Sequence, residues 1–242
     1  MSLDVQEKIN ELYSNEGNEI LGKARMEVLE GGRLASENLS DKAGIPIDRF
    51  SYGPDGVFLM SEPENENYLR IDIDNVIYRI PDLFRGGTLG VYGETEDGSK
   101  LIGMKPKYVE GPYNEKKVEE YKQLVMFIDS IIENMDPDNS KREFLEDYRN
   151  IAVEEIRLMK NPKRTAQYIA THESTHDALA AIGVAKKIDT GTNEALTEIN
   201  TRDALGYTIL GPDAEYTKNM ERTKERLGGR EGAYQFVKSL TA

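Results

Sequence analysis

The two histidines of this 242-residue chain, His172 and His176, stand four residues apart in the segment His-Glu-Ser-Thr-His. Residues four apart lie on the same face of an α-helix, so both imidazoles can converge on one metal ion. Glu173 is next to the first imidazole and can present its carboxylate to a water on that ion. This is the HExxH motif of zinc enzymes, in which the metal lowers the pKa of the water to about 7 and the carboxylate takes its proton. The alternative is a pair of histidines that pack or cap on a helix beside a solvated Glu173.

A third ligand is needed, because a catalytic zinc site usually takes three protein ligands and leaves one position open. The chain has no cysteine and no third histidine, so this ligand must be Asp, Glu or a less usual donor. Glu194 is a candidate, since a predicted turn at Asp189–Gly191 lets the following helix lie against the His172 helix. Glu198 comes one turn later on the same face, where it can accept a hydrogen bond from the distal nitrogen of a liganding imidazole.

The sequence HESTH followed by NEALTE resembles the gluzincin group of zinc metallopeptidases, the thermolysin-like class. In that group, HExxH is followed on the next helix by Asn-Glu-x-x-Ser/Thr-Asp/Glu. The resemblance implies zinc ligands His172, His176 and Glu194, Glu173 as general base and proton shuttle, and Glu198 as the acid behind the ligands. It also implies a peptide or protein substrate that binds as an added strand at the edge of an upstream sheet. The motif covers Thr171 to Asp203, and the rest of the chain agrees in architecture only.

The oxyanion-stabilising group is where the chain departs from this family. Thermolysin-like enzymes use a further His and a Tyr, and this chain has no third His. Tyr207 and Tyr216 follow the second helix, and a phenol can donate a hydrogen bond to a developing oxyanion. We prefer Tyr207 as the catalytic residue, although core packing explains either tyrosine equally well. Arg202 is another candidate donor, or else a salt-bridge partner of Asp203 or Glu198.

Three functions are compatible with these motifs. The aminopeptidase branch of the family carries a Gly-x-Met-x-Asn strand that Gly103-Met104-Lys105-Pro106 does not complete. We therefore expect a zinc-dependent endopeptidase. The alternative is a catalytically inactive zincin-fold protein that binds a partner or acts as a scaffold, and the missing third His favours it. A narrower possibility is an exported, effector-like peptidase with one protein target.

The elements that must position these residues are predicted from hydrophobic periodicity and turn residues. Short alternating runs predict a small, mostly antiparallel sheet from strands near 57–60, 68–73, 76–80, 88–92 and 101–104. Helical spacing and cap signals predict helices near 114–135, 140–159, 162–186, 192–206, 212–228 and 231–240. The active-site residues thus fall on two consecutive helices of the C-terminal half.

We therefore expect an α+β chain with an N-terminal helical segment at 1–49 and a zincin-like metallopeptidase domain at 50–242. Within that domain, a sheet lobe at 50–113 precedes a helical lobe at 114–242. In the N-terminal segment, Gly17 predicts a break in the helix and Gly31-Gly32 predicts its end.

Composition excludes several other classes of protein. The formal net charge of −13 argues against a nucleic-acid binder, which needs a basic surface. The absence of cysteine excludes disulfides, cysteine-type zinc sites and thiol catalysis. No stretch is apolar enough to suggest a membrane span, and the N-terminus has no signal-peptide pattern. We expect a cytoplasmic protein, or an exported one if a leader has been removed.

Overall fold

The computed structural model describes residues 15–50, 54–60, 68–73, 76–81, 89–210 and 215–241. Its α-helices are α1 (Asn15–Ala43), α2 (Pro112–Asn134), α3 (Arg142–Met159), α4 (Pro162–Ala181), α5 (Thr190–Leu205), α6 (Glu215–Arg226) and α7 (Gly229–Leu240). Its strands are β1 (Gly56–Leu59), β2 (Tyr68–Ile73), β3 (Val76–Pro81), β4 (Gly90–Glu94) and β5 (Lys100–Met104). The chain is therefore α+β, as the sequence predicts. No helix in the described ranges combines the length and the apolar composition that crossing a membrane requires.

Residue contacts group the chain into two compact units that are interleaved along the sequence. The first unit comprises the described parts of 1–59, 90–104 and 164–242, and the second those of 60–89 and 105–163. The predicted lobes, by contrast, are consecutive ranges that meet near Tyr113. Both predicted site helices, α4 from Arg164 onward and α5, belong to the first unit.

The sheet of the first unit has the strand order β1-β5-β4. β4 and β5 are antiparallel, with Gly90 opposite Met104 and Glu94 opposite Lys100. β1 is parallel to β5, a long-range pairing for which the sequence gives no local signal. The predicted strand at 88–92 lies at Gly90–Glu94 instead. Among the described strands, β4 therefore lies at an edge of this sheet.

The second unit contains a separate antiparallel pair, β2 and β3, in which Tyr68 lies opposite Pro81 and Ile73 opposite Val76. The prediction of one small sheet therefore needs correction, since the described strands form two sheets. The reason is packing: the alternate apolar residues of β2 and β3 bury against α2 and α3 rather than against another strand. The residues of this core include Ile71, Ile73, Ile80, Ile128, Ile131, Leu145 and Tyr148.

Helix α1 is continuous, which corrects two sequence predictions. It passes Gly17 without a break and continues through Gly31-Gly32 to Ala43. The chain then leaves the helix at Gly44, whose φ of 65° lies in the left-handed region that glycine adopts without strain. The paired glycines therefore lie inside α1 and do not end it.

Gly31 allows α1 to cross α4 at close range. A Cβ atom at this position would lie 2.7 Å from the carbonyl carbon of Ala170 and 2.8 Å from the backbone nitrogen of Thr171. Real Cβ atoms do not approach backbone so closely, so only glycine fits here. The crossing supports α4 at the residues that directly precede His172.

Replacing Gly31 with alanine is expected to destabilise the protein by about 1–3 kcal/mol, because the added methyl group meets backbone that cannot move aside easily. Gly22 on the same helix is the matched control, since it is exposed and a Cβ there meets no atom within 4 Å. Gly22→Ala is expected to stabilise the protein by about 0.5–1 kcal/mol through helix propensity. Urea unfolding measures both changes, and a neutral Gly31→Ala variant would contradict the close crossing.

Candidate metal centre

The turn between α4 and α5 brings the two predicted site helices side by side. α4 ends at Ala181, and the chain turns at Gly183, whose φ is 74°. Asp189 then caps α5: its carboxylate accepts hydrogen bonds from the Thr192 N–H and from the Thr192 hydroxyl, both at 2.8 Å. These bonds lower the pKa of Asp189, so the cap is ionised at neutral pH. The predicted turn at 189–191 is thus the first turn of α5.

The two imidazoles of α4 face one carboxylate of α5. His172 Nε2 lies 3.5 Å from one oxygen of Glu194, and His176 Nε2 lies 3.4 Å from the other. One ligand atom from each of the three residues can be chosen so that all lie within 4.8 Å of one another. The structure therefore brings together the three residues that the sequence predicts as metal ligands.

The distances fit a metal ion better than direct hydrogen bonds between these three side chains. An N–H···O hydrogen bond measures about 2.7–3.2 Å between heavy atoms, and both contacts of Glu194 are longer. Ligand atoms that surround zinc tetrahedrally at its usual bond lengths lie about 3.3–3.4 Å apart. The donor set of two imidazoles and a carboxylate is also one that zinc accepts.

The distal nitrogen of each imidazole faces a polar side chain of α5. His172 Nδ1 lies 3.4 Å from Glu198, and His176 Nδ1 lies 3.2 Å from the Thr197 hydroxyl. The carboxylate of Glu198 can only accept a hydrogen bond, so it favours the His172 tautomer that leaves the Nε2 lone pair available to a metal. The Thr197 hydroxyl can accept the same kind of bond from His176. Glu198 therefore has the position that the sequence predicts for it, and Thr197 is a further orienting residue that the sequence analysis misses.

Glu198 is completely buried and surrounded by hydrogen-bond donors. Arg202 Nε donates to its carboxylate at 2.6 Å, the Tyr168 hydroxyl donates to the other oxygen, and the Thr208 hydroxyl lies 3.4 Å away. Burial alone would raise the pKa of Glu198, but the nearby His172 and the hydrogen bonds from Tyr168 and Arg202 hold that pKa below its ordinary value. Of the two roles predicted for Arg202, the structure shows the salt bridge to Glu198.

The charge around the imidazoles is negative. Burial disfavours a charged His172, but the facing carboxylates of Glu194 and Glu198 outweigh burial and raise the pKa of His172 to about 10. The negative potential at His172 comes from three carboxylates, those of Glu173, Glu194 and Glu198. A site with this excess of negative charge attracts a cation.

Glu173 is buried beside the three candidate ligands, with 8% of its surface exposed. Burial raises its pKa, an effect that the nearby His172 and His176 oppose and the Glu194 carboxylate adds to. The backbone N–H of Tyr92, on strand β4, donates a hydrogen bond to its carboxylate. The predicted general base is therefore positioned by the edge strand as well as by its own helix.

Gly90 allows β4 to lie against α4 at this point. A Cβ atom at Gly90 would lie 2.5 Å from Ile169 Cγ2 and 3.0 Å from both Cγ and Oε1 of Glu173. Ile169 is itself buried, so a larger residue at 90 would have to displace the Glu173 side chain or the strand.

The variant Gly90→Ala is therefore expected to lower kcat of the proposed hydrolysis by about 10–100-fold, because small displacements of a reacting group cost this much. Zinc content should stay unchanged, since the atoms nearest to an added Cβ at Gly90 belong to Ile169 and Glu173 and not to a candidate ligand. Gly93→Ala on the same strand is the control, because a Cβ there meets no atom within 4 Å. Equal kcat values for the two variants would show that β4 does not position Glu173.

Two tyrosine rings flank the imidazoles, and the sequence analysis misses both. Tyr168 lies nearly parallel to His172, with ring centroids 6.3 Å apart, and Tyr92 lies nearly parallel to His176 at 6.5 Å. Burial and the carboxylate of Asp177 raise the pKa of Tyr92 to about 12, so its hydroxyl stays protonated. Tyr168 could have been found from its spacing, four residues before His172, whereas no local signal indicates Tyr92.

Tyr207 contacts α4 before the motif rather than the candidate ligands. Its hydroxyl donates to the Arg164 carbonyl at 3.0 Å and lies 3.2 Å from the side-chain oxygen of Gln167. Burial raises the pKa of Tyr207. Its role in oxyanion stabilisation stays a prediction. Tyr216 belongs to α6, and its side chain lies outside the described residues.

No family model, no curated protein and no solved structure matches the chain. The class of protein is therefore defined by fold and site alone. The chain is an α+β protein in which two helices bring two histidines and a glutamate into a group that could hold a metal ion.

Proposed function

We propose that the chain is a zinc-dependent endopeptidase of zincin-like fold. One observation carries this proposal: Nε2 of His172 and Nε2 of His176 face the two oxygens of Glu194 at the separations of zinc ligands. The buried carboxylate of Glu173 lies directly beside this group. Two imidazoles and a glutamate are the ligand set of the thermolysin type of catalytic zinc site.

Each residue of the site has a chemical role in this proposal. His172, His176 and Glu194 would hold the ion, whose chemistry there is to polarise the scissile carbonyl and to acidify a water. Glu173 accepts the proton of that water and passes it to the departing amine. Glu198 keeps His172 in the tautomer that binds metal, and Thr197 orients the ring of His176.

The substrate in this proposal is a peptide or protein segment in extended form. Among the described strands, β4 pairs with β5 on one side only, and its Gly90 and Tyr92 lie against α4 at Glu173. A peptide that adds to the other side of β4 as a further strand would pass the metal group with its backbone ordered. The cytoplasmic location expected from the sequence stays a prediction.

The test is a cleavage assay with the purified protein on casein and on a proteome-derived peptide pool. We expect cleavage that stops with a chelator and returns when zinc is added in slight excess over the chelator. Adding Fe²⁺, Mn²⁺ or Co²⁺ to separate samples identifies the metal, because two histidines and one carboxylate also suit non-haem iron. Cleavage that persists in chelator would contradict the proposal.

Metal content and melting temperature distinguish an active peptidase from the alternative, a catalytically inactive scaffold. A zincin-fold protein that has lost its metal would purify without zinc, and a chelator would leave its melting temperature unchanged. If the protein binds zinc through His172, His176 and Glu194 but cleaves no substrate, it is an inactive zincin-fold protein that has kept its metal site.

A further inference from the structure

Arg164 stands at the end of a row of planar groups that leads away from the metal group. Its guanidinium carbon lies 4.0 Å from the centroid of the Tyr207 ring. The Tyr207 ring lies 6.5 Å from Tyr168, and Tyr168 lies 6.3 Å from His172. The row connects an arginine on the first turn of α4 with the first candidate ligand.

The guanidinium of Arg164 is held in place but remains accessible. Arg164 is exposed, and Tyr207 supports it in two ways, by the ring under the guanidinium and by the hydroxyl bonded to the Arg164 carbonyl. No carboxylate in the described parts of the chain forms an ion pair with Arg164. The charge of Glu27, on α1, reaches the hydroxyl of Tyr207, the residue on which Arg164 stacks. A stacked arginine with free N–H groups recognises carboxylates through charge-assisted hydrogen bonds.

The edge strand and the motif helix run in the same direction. Gly90, at the start of β4, lies against Ile169 and Glu173. Tyr92, two residues later, lies beside His176, one turn further along α4. A peptide on the edge of β4 therefore runs along α4, and if it is antiparallel to β4 its C-terminal part points towards the beginning of α4. Antiparallel pairing is the more stable arrangement per residue.

The distance along α4 between His172 and Arg164 determines which residue of a bound peptide can contact Arg164. Arg164 precedes His172 by eight residues, which is about 12 Å of helix. An extended peptide covers this length in about three or four residues.

We propose that Arg164, supported by Tyr207, selects substrates with an acidic residue three or four positions C-terminal to the scissile bond. This inference rests on the proposed peptidase function and adds the substrate class. An exposed, pre-oriented ion pair of this kind changes relative rates by about threefold to tenfold, and salt weakens it.

The first experiment profiles cleavage of a proteome-derived peptide pool by mass spectrometry. Asp and Glu should be enriched at the third or fourth residue after the cut, and Arg164→Glu should replace them with Lys and Arg. Arg222→Glu, an equal charge change at an exposed arginine of α6, should leave the profile unchanged. Cleavage without acidic enrichment, enrichment before the cut, or a profile that Arg164→Glu does not change would overturn the inference and leave the peptidase proposal standing.

The second experiment does not need cleavage. Immobilised, zinc-loaded Glu173→Gln protein captures peptides from the same pool, and the captured peptides are sequenced. We expect acidic peptides to be enriched about threefold to tenfold. In the same background, the further substitution Glu27→Gln should increase this enrichment, and the further substitution Arg164→Gln should abolish it. Equal capture of acidic and neutral peptides would overturn the inference. Capture of acidic peptides together with no cleavage by the wild-type protein would support recognition of acidic peptides by Arg164 while contradicting the peptidase proposal.

Discussion

Replacing Glu173 with glutamine is expected to lower kcat by about a hundredfold to ten-thousandfold while zinc stays bound at one ion per chain. Glutamine has nearly the same shape, so it keeps the packing of a side chain that is 8% exposed. It cannot accept a proton, and general-base catalysis by a positioned carboxylate is worth about 10²–10⁴ in rate. Steady-state kinetics and metal analysis of the same preparation measure both quantities.

The exposed Glu154, which pairs with Arg157 in the second unit, gives the matched control. Glu154→Gln should keep full activity and full zinc content. Loss of zinc in Glu173→Gln would show that Glu173 is a ligand or supports the ligands. Retained cleavage in Glu173→Gln would remove Glu173 from the mechanism.

Removing the metal is expected to lower the melting temperature by about 10 °C. An ion present at a thousand times its dissociation constant stabilises the folded state by about 4 kcal/mol. For a chain of this length, each kcal/mol corresponds to about 2–4 °C. Calorimetry with and without a chelator measures the change. The effect should be large because an ion held by His172, His176 and Glu194 would join α4 to α5 and would offset the repulsion between Glu194 and Glu173.

The variant His176→Ala controls for effects of the chelator away from the site. Its melting temperature should be low and should not respond to chelator or to added zinc. If the melting temperature of the wild-type protein does not change with chelator, the three side chains hold no metal. A His176→Ala variant that still responds would place the metal elsewhere.

The part of the site that the sequence predicts well depends on local signals. The spacing of His172 and His176 is set within one helical turn, and the structure places both on α4. The start of α5 is also local, although the predicted turn at 189–191 is its cap and first turn. Glu194 and Glu198 then follow from the pitch of α5, since a helix fixes which side chains share a face. A short turn between the two helices leaves few ways to join them, so the triad could be predicted as well.

The part that could not be predicted depends on contacts between segments far apart in the chain. Gly31 has the local character of a helix end, and only the approach of Ala170 and Thr171 explains why it lies inside α1. Tyr92 comes beside His176 because β4 packs against α4, about 80 residues later in sequence. The parallel pairing of β1 with β5 is of the same kind.

Tyr207 has contacts that could not be predicted from its residue type, and its role at the oxyanion stays a prediction. The family resemblance implies a tyrosine at the oxyanion, and Tyr207 follows the second helix as such a residue should. In the structure its hydroxyl bonds Arg164 and Gln167, and its ring supports a guanidinium. Position in sequence gives the order of residues but not the direction in which a side chain points.

The most direct test of the central claim is zinc-edge X-ray absorption on the purified protein, combined with metal analysis. The account predicts one zinc per chain, with two imidazole nitrogens at about 2.0–2.1 Å and carboxylate and water oxygens at about 2.0–2.2 Å. Glu194→Ala should lose most of the metal. The claim is contradicted if the protein binds no zinc, or if its zinc has a coordination shell that is the same in wild type, His176→Ala and Glu194→Ala.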